Sequence, residues 1–295
     1  MLQPLIGPLR CLMVGLWGIA EKMIAGRWIA GEGISDALEV SEKLNRRNVG
    51  AVINYLGEDL RDSEKISKAC NKYMLLISDI SKAGINASIA VKPTQLGLTL
   101  GYKTASANYG KIVSAARRKK IFVWMDMEES RYTDLSIKLY LERVKSKNTG
   151  ICIQSYLRRS EDDAAKLLLS GATIRLVKGA YREPPEIAFA QRKDATRNFS
   201  RIMGLLFRKS ERFMVATHDR QLISRAISMS GKSDARVSFG MLNGIMNDYA
   251  YRLAEKHDVQ LYLPFGEEWV SYGYRRMREL RNSVLIAKSL LPSQH

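Results

Sequence analysis

A chain of 295 residues is long enough for one large α/β barrel or two ordinary domains, and either would bury a full core. A formal charge of +17 favours acidic partners of every kind, from nucleic acid to an anionic membrane surface or small molecule, so it selects none of them. Three distant cysteines, Cys11, Cys70 and Cys152, contain no Cys-x-x-Cys, and His218, His257 and His295 lack the paired spacing of a helical metal site. That pattern argues against a disulfide framework or zinc chemistry and fits a reducing cytosol.

Taken in chain order, the first feature is the apolar run of residues 11–20, well short of the roughly 18 residues that span a bilayer. Residues 5–25 read as a buried or interfacial helix, within an N-terminal helical segment over 1–47 that packs on or beside the rest of the chain. From there to the end no Ser/Gly-rich linker appears, Pro184-Pro185 being the one proline-rich spot, so residues 48–295 read as a single catalytic domain. Short apolar runs alternate with longer amphipathic ones. Strands are predicted over 49–56, 87–92, 121–127, 150–156, 173–178, 213–217, 237–241 and 259–263. Helices are predicted over 59–83, 104–118, 134–147, 161–169, 186–209, 221–229, 245–256 and 267–290. The first of these carries Ile66, Cys70, Tyr73, Ile77 and Ile80 on one face.

Strands each followed by a helix, eight times, spell a (β/α)8 barrel of the TIM type preceded by N-terminal helices. The rival, a doubly wound sheet, needs a Gly-rich nucleotide turn. Gly31-Glu32-Gly33 lacks the third glycine and follows no strand.

Barrel sites sit at the C-terminal ends of the strands, and there Lys92, Asp126, Gln154, Arg175 and Lys178 interrupt apolar sequence. A charge in such a place is paired or it binds something; five on one rim favour a site. Arg175 and Lys178 lie three apart, so only one points into a regular barrel. Arg175 is expected inside and Lys178 at the rim, with a Schiff-base lysine at 178 as the rival. Asp126 reads as a base or as the ion-pair partner of Lys92, and His218 as a base, a ligand contact or a partner of Asp219. The last strand runs into an aromatic helix with Trp269, Tyr272 and Tyr274, in which the adjacent Arg275 and Arg276 suit an anion gripped from two sides.

Three stretches then stand out together: Arg-Leu-Val-Lys-Gly-Ala-Tyr at 175–181, Ala-Thr-His-Asp at 216–219, and Tyr-x-Pro-x-Gly with Tyr-x-x-Arg-Arg-x-x-Glu between 262 and 279. They closely resemble the proline dehydrogenase family, and the likeness extends to 27–32 and 54–58, covering roughly residues 26–283 in the family's order. The resemblance implies a barrel flavoenzyme that holds FAD without a Gly-rich fold and oxidises L-proline to Δ1-pyrroline-5-carboxylate by hydride transfer to flavin N5. It implies that Arg275, Arg276 and Lys92 grip the proline carboxylate. Tyr272 and Leu176 wall the ring, Tyr262 lies beside the substrate, and Asp126 and Tyr181 brace the pocket. Arg175 corresponds to the arginine near flavin N5, so Arg175 and Tyr262 are the expected catalytic pair. Gln154, Val177, Gly179, Ala180, Thr217, His218 and Glu279 are the expected cofactor contacts, joined on the helix after strand five by Lys193, Thr196 and Asn198 toward the adenosine.

The family likeness further implies a quinone as electron acceptor, and leaves a homo-oligomer open. The basic surface and the 11–20 run suit a cytoplasmic protein peripheral at the inner face of the cell membrane. Two other readings stand beside it: an aldolase using Lys178, and a nucleic-acid binder driven by charge, the latter not expected.

Overall fold

The structure, a computed structural model, describes residues 28–269. The predicted N-terminal helix over 5–25, the predicted helix beyond 269, and Tyr272, Arg275, Arg276 and Glu279 lie outside the described residues. Within them the order is α1 (Ile34–Asn45), β1 (Gly50–Tyr55), α2 (Ser63–Ala83), β2 (Ala87–Val91), α3 (Tyr102–Arg118), β3 (Val123–Met125), α4 (Thr133–Leu141) and β4 (Thr149–Gln154). Next come α5 (Ser160–Leu169), β5 (Thr173–Val177), α6 (Arg192–Lys209), β6 (Arg212–Ala216), α7 (Arg220–Ser230), β7 (Arg236–Leu242), α8 (Asn247–Ala254) and β8 (Asp258–Phe265).

The eight strands close into a barrel in chain order, and β1 meets β8 in parallel with Val52 opposite Tyr262 and Asn54 opposite Pro264. Neighbouring side chains on a strand face opposite ways, which sorts the core into two layers. Ile53, Ile89, Val123, Ile174, Leu176, Phe213 and Leu261 pack outward against helix residues such as Tyr73, Leu76, Tyr109 and Phe199. Val52, Ala90, Trp124 and Met214 form a separate buried cluster with Tyr262 and Ala216 inside the barrel. Gly150 makes room there: a Cβ on it would come within 2.4 Å of the Trp124 ring.

Local chemistry decides where the predicted helices begin and end. The helix expected from 59 begins at Ser63, because Asp59 holds a positive φ of 52° and the Asp62 carboxylate accepts from the N–H groups of Glu64 (2.7 Å) and Lys65 (3.1 Å), the bonds of an N-cap. It stops at Gly84, whose φ of 65° suits glycine. The helix expected over 186–209 starts at Arg192 instead. Pro184-Pro185 has no N–H to offer, and residues 187–189 pair laterally with the end of β4, Arg158 N–H donating to Ile187 O (2.9 Å) and Phe189 N–H to Tyr156 O (2.8 Å). The helix expected over 134–147 breaks after Leu141, and Val144–Ser146 forms a 3-10 turn. The α1 helix packs against β1 and β8.

Candidate active site

At the C-terminal end of the barrel Asp126, 5% exposed, collects three donors, from β5, from β8 and from the residue just past β2. Its Oδ2 accepts from Lys92 Nζ at 3.1 Å and from Tyr262 Oη at 2.7 Å, and its Oδ1 accepts from Arg175 Nη2. The guanidinium of Arg175 also lies 5.4 Å from the ring centres of both Trp124 and Tyr262, within cation–π reach. Burial alone would raise the Asp126 carboxyl, but Lys92 and Arg175 outweigh it and hold Asp126 below the usual carboxylate range. Burial likewise works against the Lys92 ammonium, and its surroundings, Asp126 and Glu58 among them, keep it well above its ordinary value. Two cations, Lys92 and Arg175, share the one carboxylate of Asp126, which holds both in place.

Around this core stand further residues singled out by sequence. Tyr181 Oη donates to Glu58 Oε2 at 3.2 Å, and burial pushes its phenol up against the pull of Lys92. Gln154, buried, donates from Nε2 to the carbonyl of Glu128 at 2.9 Å. The Thr217 hydroxyl accepts from the Asp219 N–H at 3.2 Å, and His218 Nε2 accepts from the Leu242 N–H at 3.1 Å. That acceptor role places the ring proton on Nδ1 in the neutral imidazole. Val177 O receives the Ser155 N–H at 2.8 Å, so the backbone leaving β5 stays stitched to β4 up to Gly179 and Ala180, both exposed.

Other expected residues lie elsewhere. Leu176, expected as a wall of the pocket, is fully buried in the layer between sheet and helices. It neighbours inward-facing Arg175 on the same strand and so faces away from it. Lys178 sits at the rim, where Nζ is engaged by Asp219 at 2.8 Å. Asn198 is buried and donates to Ser155 O at 2.8 Å, shoring up the turn after β4; Thr196 is half-buried and Lys193 exposed.

Two residues near the cluster had no role assigned from sequence. Glu128, 3% exposed, binds the Thr94 N–H (2.9 Å) and hydroxyl (2.6 Å), and burial pushes its carboxyl up to about 7 although Lys92 and Thr94 pull the other way. Glu58 bears on both Tyr181 and Lys92. The acidic step after β3 and the acid after Asn54-Tyr55-Leu56-Gly57 were the available signals; burial was not. A groove of about 930 Å3 between α2, α3 and α4, lined by Ile66, Cys70, Met74, Leu100 and Lys111 among others, includes none of the cluster.

The residues present fit a flavin. Arg175 Nε and Nη1 are buried with no close hydrogen-bond partner among the described residues and only the Cys152 thiol, a weak partner, beside the guanidinium, a state costly unless a stronger polar group meets them. Four residues further on, Gly179 turns the chain with φ at +110°, a conformation that suits glycine.

The family model described as proline dehydrogenase matches residues 37–284. The proline dehydrogenase of Deinococcus radiodurans is 30% identical over 287 residues, covering 94% of this chain and 91% of that protein. Proline dehydrogenase 2 of Bacillus subtilis (strain 168) is 27% identical over 276 residues, covering 92% and 90%. Among solved structures, proline utilization A from Bdellovibrio bacteriovorus, inactivated by N-propargylglycine, superposes with a TM-score of 0.86 at 21% identity. The match covers 95% of this chain and 35% of that one; at that identity the likeness concerns the fold.

Proposed function

Since the chain belongs to the proline dehydrogenase family and is a proline dehydrogenase, we propose that the Asp126 cluster is where L-proline is oxidised to Δ1-pyrroline-5-carboxylate, with FAD as the cofactor. The observation that carries this reading is Arg175, buried at the open end of the barrel, bonded to Asp126 through Nη2, with Nε and Nη1 lacking a close hydrogen-bond partner among the described residues. FAD, when bound, supplies the two-electron acceptor for the hydride that leaves the substrate's C5.

The protein's part is to bind and orient. Lys92 offers its ammonium to the proline carboxylate, and fixing that end fixes where C5 stands. Arg275, Arg276 and Tyr272, outside the described residues, complete the grip by family likeness. Asp126 holds Lys92, Arg175 and Tyr262 in one arrangement, so none of the three spends rotamer freedom when the substrate arrives. Arg175 directs a fixed cation at the place where negative charge grows during the reaction. Gln154, Thr217, His218 and the backbone at Val177, Gly179 and Ala180 are the contacts we assign to the cofactor, with Glu279, Thr196 and Asn198 carried over from the family pattern.

By the same likeness a quinone accepts the electrons. The +17 charge favours a cytoplasmic protein held peripherally at an anionic membrane face, and no helix among the described residues is long and apolar enough to cross a membrane. The test is a visible spectrum of the purified protein before and after anaerobic proline. Flavin bands that bleach with proline are expected; a colourless protein that proline cannot make reduce added FAD would sink the proposal.

A further inference from the structure

We infer that Glu128 is a positioning residue for the substrate's carboxylate: it latches the turn that carries Lys92, and it takes up a proton from solvent when an anion comes to rest beside Lys92. The inference rests on the reading that Lys92 meets that carboxylate.

The latch is visible in the bonds. Lys92-Pro93-Thr94 is the turn that leaves β2, with the Lys92 carbonyl receiving the N–H groups of Gln95 and Leu96 at 3.1 Å each. Glu128, from the loop after β3, fixes the far side of that turn through both carboxyl oxygens, one on the Thr94 N–H and one on its hydroxyl. The same hydroxyl accepts the Asp59 N–H at 2.7 Å, and Gln154 holds the Glu128 carbonyl. Thr94 is 1% exposed, so water cannot replace these bonds. Glu128 thereby ties the loops after β1, β2 and β3 and the end of β4 around Lys92.

The proton follows from the charges facing this carboxyl. They are Lys92 from the turn after β2, Glu58 from the loop after β1, and Tyr181 from the arm after β5. Asp126 stands two residues back on its own segment, already engaged with Lys92. Burial places Glu128 near neutrality, at about 7, with Lys92 as the main charge restraining it. A bound carboxylate at Lys92 offsets that restraint and adds a like charge, which favours the neutral acid. Either form fits: the Thr94 hydroxyl donates to the carboxylate or accepts from the acid, while the other oxygen keeps the amide. A proton therefore passes from bulk water onto a Glu128 oxygen, and no bond to the substrate changes. By reciprocity, protonating Glu128 tightens the anion.

The test uses the flavin-loaded enzyme and cyclopentanecarboxylate, which has the size and charge of the substrate but no amine to contribute protons. Calorimetry in two buffers of different ionisation enthalpy counts protons taken up, and the Kd is followed between about pH 6 and 9. The unaltered enzyme is expected to take up a fraction of a proton, and its Kd to weaken above about pH 7 by up to roughly tenfold per pH unit. Glu128→Gln, which keeps the shape without the titration, is expected to lose that slope. Thr94→Val keeps the charge but breaks the latch, and is expected to raise Kd several-fold at every pH with the slope retained. No proton uptake by the unaltered enzyme, an undiminished slope in Glu128→Gln, or an unchanged Kd in Thr94→Val would each overturn the inference. Lys92→Met separates the two levels: if it binds the probe as the unaltered enzyme does, the reading of Lys92 itself is wrong. If it loses binding while Glu128→Gln keeps its slope, the role of Glu128 alone falls.

Discussion

Gly179 and Tyr156 touch so closely that a Cβ on Gly179 would stand 2.0 Å from Cδ1 of the tyrosine ring. The contact joins the arm after β5 to the end of β4, where the Tyr156 N–H donates to Lys178 O at 2.9 Å and Tyr156 O receives Phe189 N–H at 2.8 Å. The glycine's φ of +110° lets the arm turn there toward Ala180 and Tyr181. Gly179→Ala therefore meets both a strained backbone and an occupied space, and is expected to cost about 2–4 kcal/mol. Flavin retention should fall with it. Thermal unfolding and the ratio of flavin to protein absorbance read the two losses, and a variant as stable and as yellow as the parent would refute this role of Gly179.

Lys92, Arg175 and Tyr262 all donate to the Asp126 carboxylate. Asp126→Asn keeps the shape but leaves Arg175 buried without its counter-charge, which typically costs about 3–5 kcal/mol. Because the folded state holds this carboxyl below its ordinary range, its stabilisation is present above the unfolded value near about 4 and is lost as pH falls below it. Urea unfolding at pH 7 should show the full deficit of the variant, shrinking toward acid pH. A deficit constant across that range would mean that the ion pairs contribute nothing.

Much of this arrangement is legible in the sequence, for reasons that differ by residue. Each barrel strand is short and nearly all apolar because both its faces are buried, so a polar residue such as Lys92, Asp126 or Arg175 stands out and points to the one end where chemistry is done. Strand alternation also contains the answer for Leu176: once Arg175 faces inward its neighbour cannot, and a family pattern read without that parity assigns Leu176 to the pocket. The late start of α6 is legible in part, since Pro184-Pro185 forbids early helix bonds, yet its lateral pairing to Tyr156 and Arg158 depends on tertiary contact. Glu128 and Glu129 show the limit. The two are chemically identical neighbours, but one is buried on Thr94 and the other, half-exposed, pairs with Arg131, a difference made by the loop around them.

The arm after β5 has a second anchor, at Glu183, whose carboxylate accepts from the Ser130 N–H at 2.7 Å and hydroxyl at 2.6 Å. Tyr181 lies two residues before it, facing Glu58. Glu183→Ala should loosen the arm with a stability cost near about 1 kcal/mol, as for a partly exposed bond. The KM for proline is expected to rise several-fold with kcat changed less. Ser130→Ala, which keeps the backbone bond, should fall between the two. Steady-state kinetics decide it: a KM unmoved in Glu183→Ala would show that this anchor does not position Tyr181.

Glu128 makes an opposite contribution to pH-dependent stability from Asp126. Its carboxyl is raised by burial from the ordinary 4.5 to about 7 in the folded chain, so the folded state prefers the neutral acid. That preference acts in full below the unfolded value and is lost as pH rises toward 7, leaving a cost of about 3 kcal/mol for the buried anion above it. Glutamine at 128 is neutral at every pH and can still accept from the Thr94 N–H while donating to its hydroxyl. Relative to the parent, Glu128→Gln should therefore gain about 3 kcal/mol in stability between about pH 4 and pH 8, whatever its standing at the acid end. Urea midpoints of parent and variant at the two pH values measure that gain directly. Equal differences at both would mean that Glu128 is ionised as easily inside the barrel as in water, and would remove the proton from its proposed dealings with Lys92.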